Sequence, residues 1–305
     1  MNWIILCLIV AFLYAISAFF DNYITDVVFK NKKPYTVKVA NCIMYPVSAL
    51  IIALICGIQA LPIIAVIIAI ASGIIHSLSS IPYYLGLRDE ETTTAATYFQ
   101  LVPIICFFAD ILLLGKVITN QQILALGIII LAPIIIAIAE RKGKRNRKKQ
   151  LRGSLMLLAY IAISSVSTVA FARIIDEGHH YWSLLFWYLM GRACFDITCT
   201  LTQSSWRKTF REATHRHPLK SFGAIIAAFA IYTVGDVIFR YTLGITNSSF
   251  ATGITNASEL IFTFVLGIIL TLIWPKFGRE KLDKRNILAH LIAVAMVITS
   301  IILIQ

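Results

Sequence analysis

Ten stretches of this chain are each long and apolar enough to cross a bilayer, and that repetition constrains the fold more than any motif does. They run at approximately 3–29, 36–58, 61–87, 92–114, 119–140, 153–175, 181–203, 220–243, 249–273 and 285–304. A spanning helix needs roughly 20 predominantly apolar residues. The 305-residue chain is 59% hydrophobic and 14% charged, whereas a soluble domain carries about 25% charged residues. The connections leave no room for a sizeable soluble domain. Continuous apolar runs at helix length favour helices over a lipid-facing barrel, whose strands alternate over about 10 residues. The second and third segments are the hardest to separate, since only "GIQALP" divides them. "MNWIILCLIV" lacks the basic residue that precedes the apolar run of a cleavable signal, so the first segment is expected to remain a helix.

The net charge of +12 would suit nucleic acid if it were spread over a surface, but it is sorted by loop. The odd-numbered connections hold 23 of the 27 Lys and Arg residues, counting Lys30, Lys32, Lys33 and Lys38 in the first of them. The even-numbered connections and the termini hold only Lys116; Arg173, Arg192 and Arg240 lie within segments. Basic residues are retained on the cytoplasmic side, so the odd loops are expected to be cytoplasmic and both termini to face away. "ERKGKRNRKKQLR" then reads as a juxtamembrane loop near anionic lipid, with no nucleic-acid partner. "SSWRKTFREATHRHPLK" (204–220) fits either a short interfacial helix with Trp206 and Phe210 on one face or an ordinary connecting loop. The six cysteines all fall within segments and form no CxxC pair, which points to packing and to no metal site or cofactor. A compact chain without paired cysteines fits a bacterial plasma membrane.

The basic loop at 141–152 divides the chain into residues 1–140 and 153–305, five segments on each side. An odd number per half means that duplicated halves enter the membrane in opposite orientations. "YYLGLRDEETTTAATYFQL" (83–101) lies over "RYTLGITNSSFATGITNASE" (240–259) with one residue of slack, which matches Leu85-Gly86 with Leu243-Gly244 and Leu101 with Glu259. Inverted repeats typify secondary transporters, whose site lies near the bilayer midplane between the halves. Residues 83–136 also resemble the end of an EamA-type repeat of the drug/metabolite transporter superfamily. That pattern has a Tyr at a helix end, a polar turn and a helix with a mid-membrane proline, matched here by Pro103. An "LGE" turn and a glycine-containing last helix follow. Here "LGK" (114–116) replaces "LGE", so nothing tied to that glutamate carries over, and the second copy, 241–304, lacks both the proline and the turn. The opening "AISAFFDNYITDVVFKNKKPY" is similar to members with an acidic first helix. The resemblance implies a ten-helix transporter of five plus five. It leaves the substrate open among amino acids, nucleobases, sugar phosphates, nucleotide sugars and cationic drugs.

Ionisable groups at mid-bilayer cost at least about 2.5–3.5 kcal/mol each unless they pair or line a wet cavity. Arg192 and Asp196 lie one turn apart in "YLMGRACFDITC", and Asp236 and Arg240 repeat the device in the eighth segment. Each couplet reads either as an internal ion pair or as part of a cavity lining. Glu259, in "TNASELIFTF", has no base within a turn and Asn256 nearby. It therefore suits exchange of a proton or capture of a cationic group, unless Arg192 or Arg240 reaches it from another helix. His76 reads as a helix-packing group or a site residue. Tyr83 and Tyr84 read as interfacial anchors or substrate contacts, and Asp21 as a candidate for a cytoplasmic gate. Asp110 and Arg173 should snorkel or pair near the outer surface. The adjacent histidines of "DEGHHYW" point apart on a helix, which favours an outward loop over a metal site.

These features lead to an all-α integral membrane protein with ten transmembrane helices in two inverted five-helix repeats. The cavity should be lined by segments 1, 3, 4, 6, 8 and 9, with the seventh contributing Arg192. No catalytic constellation is apparent, so an enzyme is not expected. The function expected is secondary transport or export of a small polar metabolite, amino acid-like or cationic, with protons as a candidate coupling ion. Its candidate binding or coupling residues are Glu259, Arg192, Asp236, Arg240, His76, Asn256, Tyr84 and Asp21. The alternatives are an anion exchanger for sugar phosphates or nucleotide sugars and a flippase for lipid-linked head groups.

Overall fold

A computed structural model describes residues 2–30, 32–89, 98–99, 101–140, 147–215, 217–273 and 284–304. Among these residues the regular structure is helical, with no strand. In chain order the helices are α1 (Trp3–Tyr23), α2 (Lys38–Cys56), α3 (Ile63–Asp89), α4 (Val102–Leu112), α5 (Asn120–Glu140) and α6 (Arg147–Asp176). They continue with α7 (Tyr181–Thr202), α8 (Ser204–Thr214), α9 (Pro218–Thr242), α10 (Ser248–Ile273) and α11 (Lys284–Ile304). Helices suit a solvent without water because they satisfy their own backbone polar groups.

Among the described residues, seven helical spans are long and apolar enough to cross a membrane: those built on α1, α2, α3, α6, α7, α9 and α10. Shorter apolar stretches, Val102–Leu112, Asn120–Ala132 and Ile287–Leu303, occupy the remaining three expected segments. For these three, the expectation of a crossing rests on the sequence. The start of the fourth segment, the connection at 141–146 and the basic connection at 274–283 lie outside the described residues. The hard division between segments two and three falls at Gly57, whose φ of 72° ends α2, followed by Pro62 ahead of α3. Residues 204–214 form the short helix α8 rather than a loop. Phe210 packs on Phe29 and Phe222, and Trp206 lies against Tyr35, while Arg207, Lys208 and Arg211 are exposed.

The burial pattern inverts that of a soluble protein. Leu54, Ile55 and Leu272 are 76%, 78% and 70% exposed on the outside of the bundle, whereas the hydroxyls of Ser72, Ser77 and Ser167 are enclosed. Lipid is as apolar as a leucine core, so helices associate through small residues and hydrogen bonds. Ser72 and Ser167 interlock α3 and α6, each donating to the other's carbonyl at 2.8 and 2.9 Å. Gly73 and Gly191 bring α3 and α7 into backbone contact: a Cβ on Gly73 would lie 2.0 Å from the Tyr188 carbonyl oxygen, and one on Gly191 2.2 Å from that of Ile70. Elsewhere α1 packs along α9 and α10, α2 along α7, α4 along α10, and α5 along α11, while α2 barely meets α9.

Candidate functional site

α1, α2, α3, α4, α6, α9 and α10 enclose a cavity with about 160 Å³ of free space, α4 through Val102, and Arg192 of α7 reaches its wall. The expected lining helices are present, and α2 joins them through Asn41 and Tyr45. The lining residues lie from mid-bundle toward the ends of α1, α2 and α9 that adjoin residues 24–37 and 218–225. The walls are largely aromatic. Tyr14 stacks on Tyr232 at 5.4 Å, and Tyr83, Phe99 and Tyr160 form a second cluster with centroids 5.2–6.0 Å apart.

Seven of the eight candidate residues line this space: Glu259, Arg192, Asp236, His76, Asn256, Tyr84 and Asp21. Arg240 is fully enclosed behind Tyr188, its guanidinium 3.8 Å from the ring centroid. Glu259 makes no hydrogen bond or ion pair with any described residue, and a second acid, Asp21, lines the same cavity. The anticipated rival reading, in which Arg192 or Arg240 neutralises Glu259, does not occur. Asp21 accepts from Tyr83 at 3.2 Å and from Tyr84 at 3.1 Å. The two tyrosines therefore hold an acid at the cavity wall. Asn256 donates to the Phe99 carbonyl at 2.9 Å.

The basic side of the site is a network across three helices. Asp236 receives Arg192 Nη1 at 3.0 Å and Tyr188 Oη at 3.1 Å on one oxygen, and it faces Arg240 Nε at 3.3 Å with the other. Arg240 Nη2 donates to Tyr188 Oη at 2.6 Å and lies 3.3 Å from His76 Nδ1, while His76 Nε2 meets Tyr232 Oη at 2.8 Å. The Arg192 guanidinium covers the Tyr45 ring at 4.2 Å. Two guanidinium groups share one carboxylate, so this network carries a surplus positive charge.

Arg192 and Asp196 do not pair with each other. Asp196 accepts from Lys38 Nζ at 2.9 Å and from Ser77 Oγ at 2.6 Å, with both charged side chains buried. The i,i+4 spacing holds, but α7 packs against α2 and α3, which bring Lys38 and Ser77 to Asp196, while the long Arg192 side chain reaches Asp236 of α9. Lys38, assigned above to a basic loop, is 1% exposed inside the bundle. Its position within the expected 36–58 segment was the available signal. Tyr188 and Tyr232 carried no such signal, because tyrosines in apolar segments are common. Asp110 is likewise enclosed. Its two oxygens accept from the backbone and hydroxyl groups of Ser248 and Ser249 at the start of α10, at 2.6–3.3 Å. Arg173 stays exposed and pairs with Glu177. In "DEGHHYW", His179 faces Glu177 and His180 contacts Ser183, and no group of three metal-binding side chains occurs among the described residues.

Residues 1–138 match the EamA-like transporter family. That match, over 138 of the 305 residues, makes the first half of the chain similar to transporters of the drug/metabolite transporter superfamily. Together with the long apolar helices, it indicates an integral membrane protein. A solved structure titled only "Crystal structure of protein" aligns with a TM-score of 0.63 at 16% identity, covering 97% of this chain and 96% of its own, which is a likeness of fold. None of the curated proteins compared with the chain matches it.

Proposed function

We propose that this chain is a ten-helix secondary transporter of two inverted units, residues 1–140 and 153–305. It passes a small amine-bearing metabolite, amino acid-like or cationic, through the cavity by alternating access. Glu259 takes either the substrate's amine or a coupled proton. The observation that carries this reading is Glu259 itself, a carboxyl on an aromatic cavity wall with no basic partner and a second acid nearby. Aromatic faces and a carboxylate together attract an ammonium group in a site with little water. The arginines favour anion exchange less, since Asp236 engages both.

The packing supports the inverted arrangement. Exchanging the halves carries the α3–α6 contact onto α9–α1 and the α1–α10 contact onto α6–α4, and it leaves α2–α7, α4–α10 and α5–α11 in place. The largest departure from that symmetry is that α3 and α7 are in close contact, whereas α2 and α9 are nearly apart. In an alternating cycle the second state would close α2 on α9 and separate α3 from α7. The basic loops put the cavity's mouth on the cytoplasmic side.

Proteoliposomes test the role of Glu259. Uptake of small primary amines and amino acids is measured with and without a pH gradient. The Glu259→Gln variant should lose at least about tenfold in flux, together with any response to the gradient. Unchanged flux and pH response in that variant would remove Glu259 from the mechanism.

A further inference from the structure

We infer that Tyr232 is a specificity-determining residue that donates a hydrogen bond to an anionic oxygen group on the substrate, and that His76 positions it for this. The inference rests on the amine-transport reading and adds a second pole to the same cavity.

The hydrogen-bond directions follow from donor chemistry. A guanidinium has donors and no acceptor. His76 Nδ1, 3.3 Å from Arg240 Nη2, must therefore be the unprotonated nitrogen that accepts. In a neutral imidazole the other nitrogen then carries the hydrogen. Nε2–H accordingly donates to Tyr232 Oη at 2.8 Å. The reverse tautomer would set two donors against each other at Arg240. With its oxygen accepting from His76, Tyr232 has its own O–H to give, and no described residue accepts it. Tyr232 lines the cavity and is held flat against Tyr14 at an interplanar angle of 16°.

A second donor without a partner lies beside it. The Arg192 guanidinium is 5.3 Å from the Tyr232 ring centroid, Arg192 is 4% exposed, and its Nε–H has no hydrogen-bond partner. Buried donors are ordinarily satisfied. The surplus positive charge of the Arg192–Asp236–Arg240 network lies behind these two donors. One wall of the cavity thus presents an unpartnered acid, Glu259, with Asp21 in the same lining, and another presents the Tyr232 O–H on a positive background to which Arg192 contributes. Such a cavity takes a small zwitterion in one orientation, with its ammonium toward Glu259 and its carboxylate toward Tyr232 and Arg192. An amine alone would leave the donors unpartnered.

Binding to the purified full-length protein in nanodiscs tests this with matched probes: amino acids, each paired with the amine left by removing its carboxylate. At least one amino acid should bind about tenfold or more tightly than its amine, since a hydrogen bond to a charged group is among the stronger ones. Tyr232→Phe keeps the ring stacked on Tyr14 and should bring that ratio close to one by weakening the amino acid alone. His76→Phe should reduce the same ratio, an effect that loosened packing, which weakens both ligands, would not produce. Selective ¹⁵N-histidine labelling should report His76 as the Nε2–H tautomer. Equal binding within every pair, or equal weakening of both ligands by Tyr232→Phe, overturns the inference and leaves Glu259-dependent amine binding standing. An unchanged ratio in His76→Phe, or an Nδ1–H tautomer, overturns the positioning role. If no amine or amino acid binds at all, both this inference and the amine reading fall.

Discussion

Asp236 joins the charges in the bundle. It is shared by Arg192 from α7 and Arg240 from its own helix, and it accepts from Tyr188. Removing one partner from a buried ionic cluster costs roughly 3–5 kcal/mol, because the charges left behind have lost their solvation as well as their counter-ion. Asp236→Asn should therefore lower the thermal unfolding midpoint in detergent markedly. Asp176→Asn, at the half-exposed Lys116–Asp176 pair, should change stability by no more than about 1 kcal/mol. Equal shifts for the two variants would mean that the network does not hold the helices together. Lys38, Asp196 and Ser77 form a second enclosed cluster that links α2, α7 and α3. The bundle thus carries most of its enclosed charges in clusters that join different helices, with Glu259 the exception.

At the level of elements, the α3–α7 crossing is the tightest constraint. Gly73 and Gly191 lie against backbone carbonyls rather than flexible side chains, so a methyl group at either site forces the helices apart. Gly191→Ala should reduce both the unfolding midpoint and transport, since Arg192 follows it directly and His76 lies one turn beyond Gly73. Gly127→Ala makes a fair control, because nothing lies within 4 Å of the added Cβ, and it should match the parent or exceed it slightly. Asp110 illustrates a different element-level effect. It lies near the end of α4 and caps the start of α10, where unpaired backbone N–H groups and the helix dipole favour a carboxylate. From the sequence it looked like an outer-surface acid, because nothing local showed that the other half of the chain would supply a helix start.

For the whole molecule, the proposed orientation has a direct consequence. With the cavity open toward the basic loops, a cysteine at Asn41 or Ser80, both on the lining, should react with a membrane-impermeant maleimide from the cytoplasmic side only. The background is Cys194→Ser, which removes the exposed native thiol. Labelling from the opposite side would reverse the inferred topology or show that the other state predominates. Substrate should slow the reaction if the lining residues are part of its path.

The class of fold was legible in the chain alone. Apolar runs of helix length and the sorting of Lys and Arg by loop are local properties, because the membrane acts on each segment separately. For the same reason Glu259, Arg192, Asp236 and His76 could be singled out: a charged or polar side chain in oil stands out without knowledge of its neighbours. What the sequence could not supply was pairing. Spacing along α7 put Arg192 beside Asp196, yet the bundle assigns one to Asp236 and the other to Lys38. It likewise leaves Glu259 without a base and aims His76 between Arg240 and Tyr232. Those choices depend on which helix faces cross and at what depth, and that is decided by packing between segments far apart in the chain.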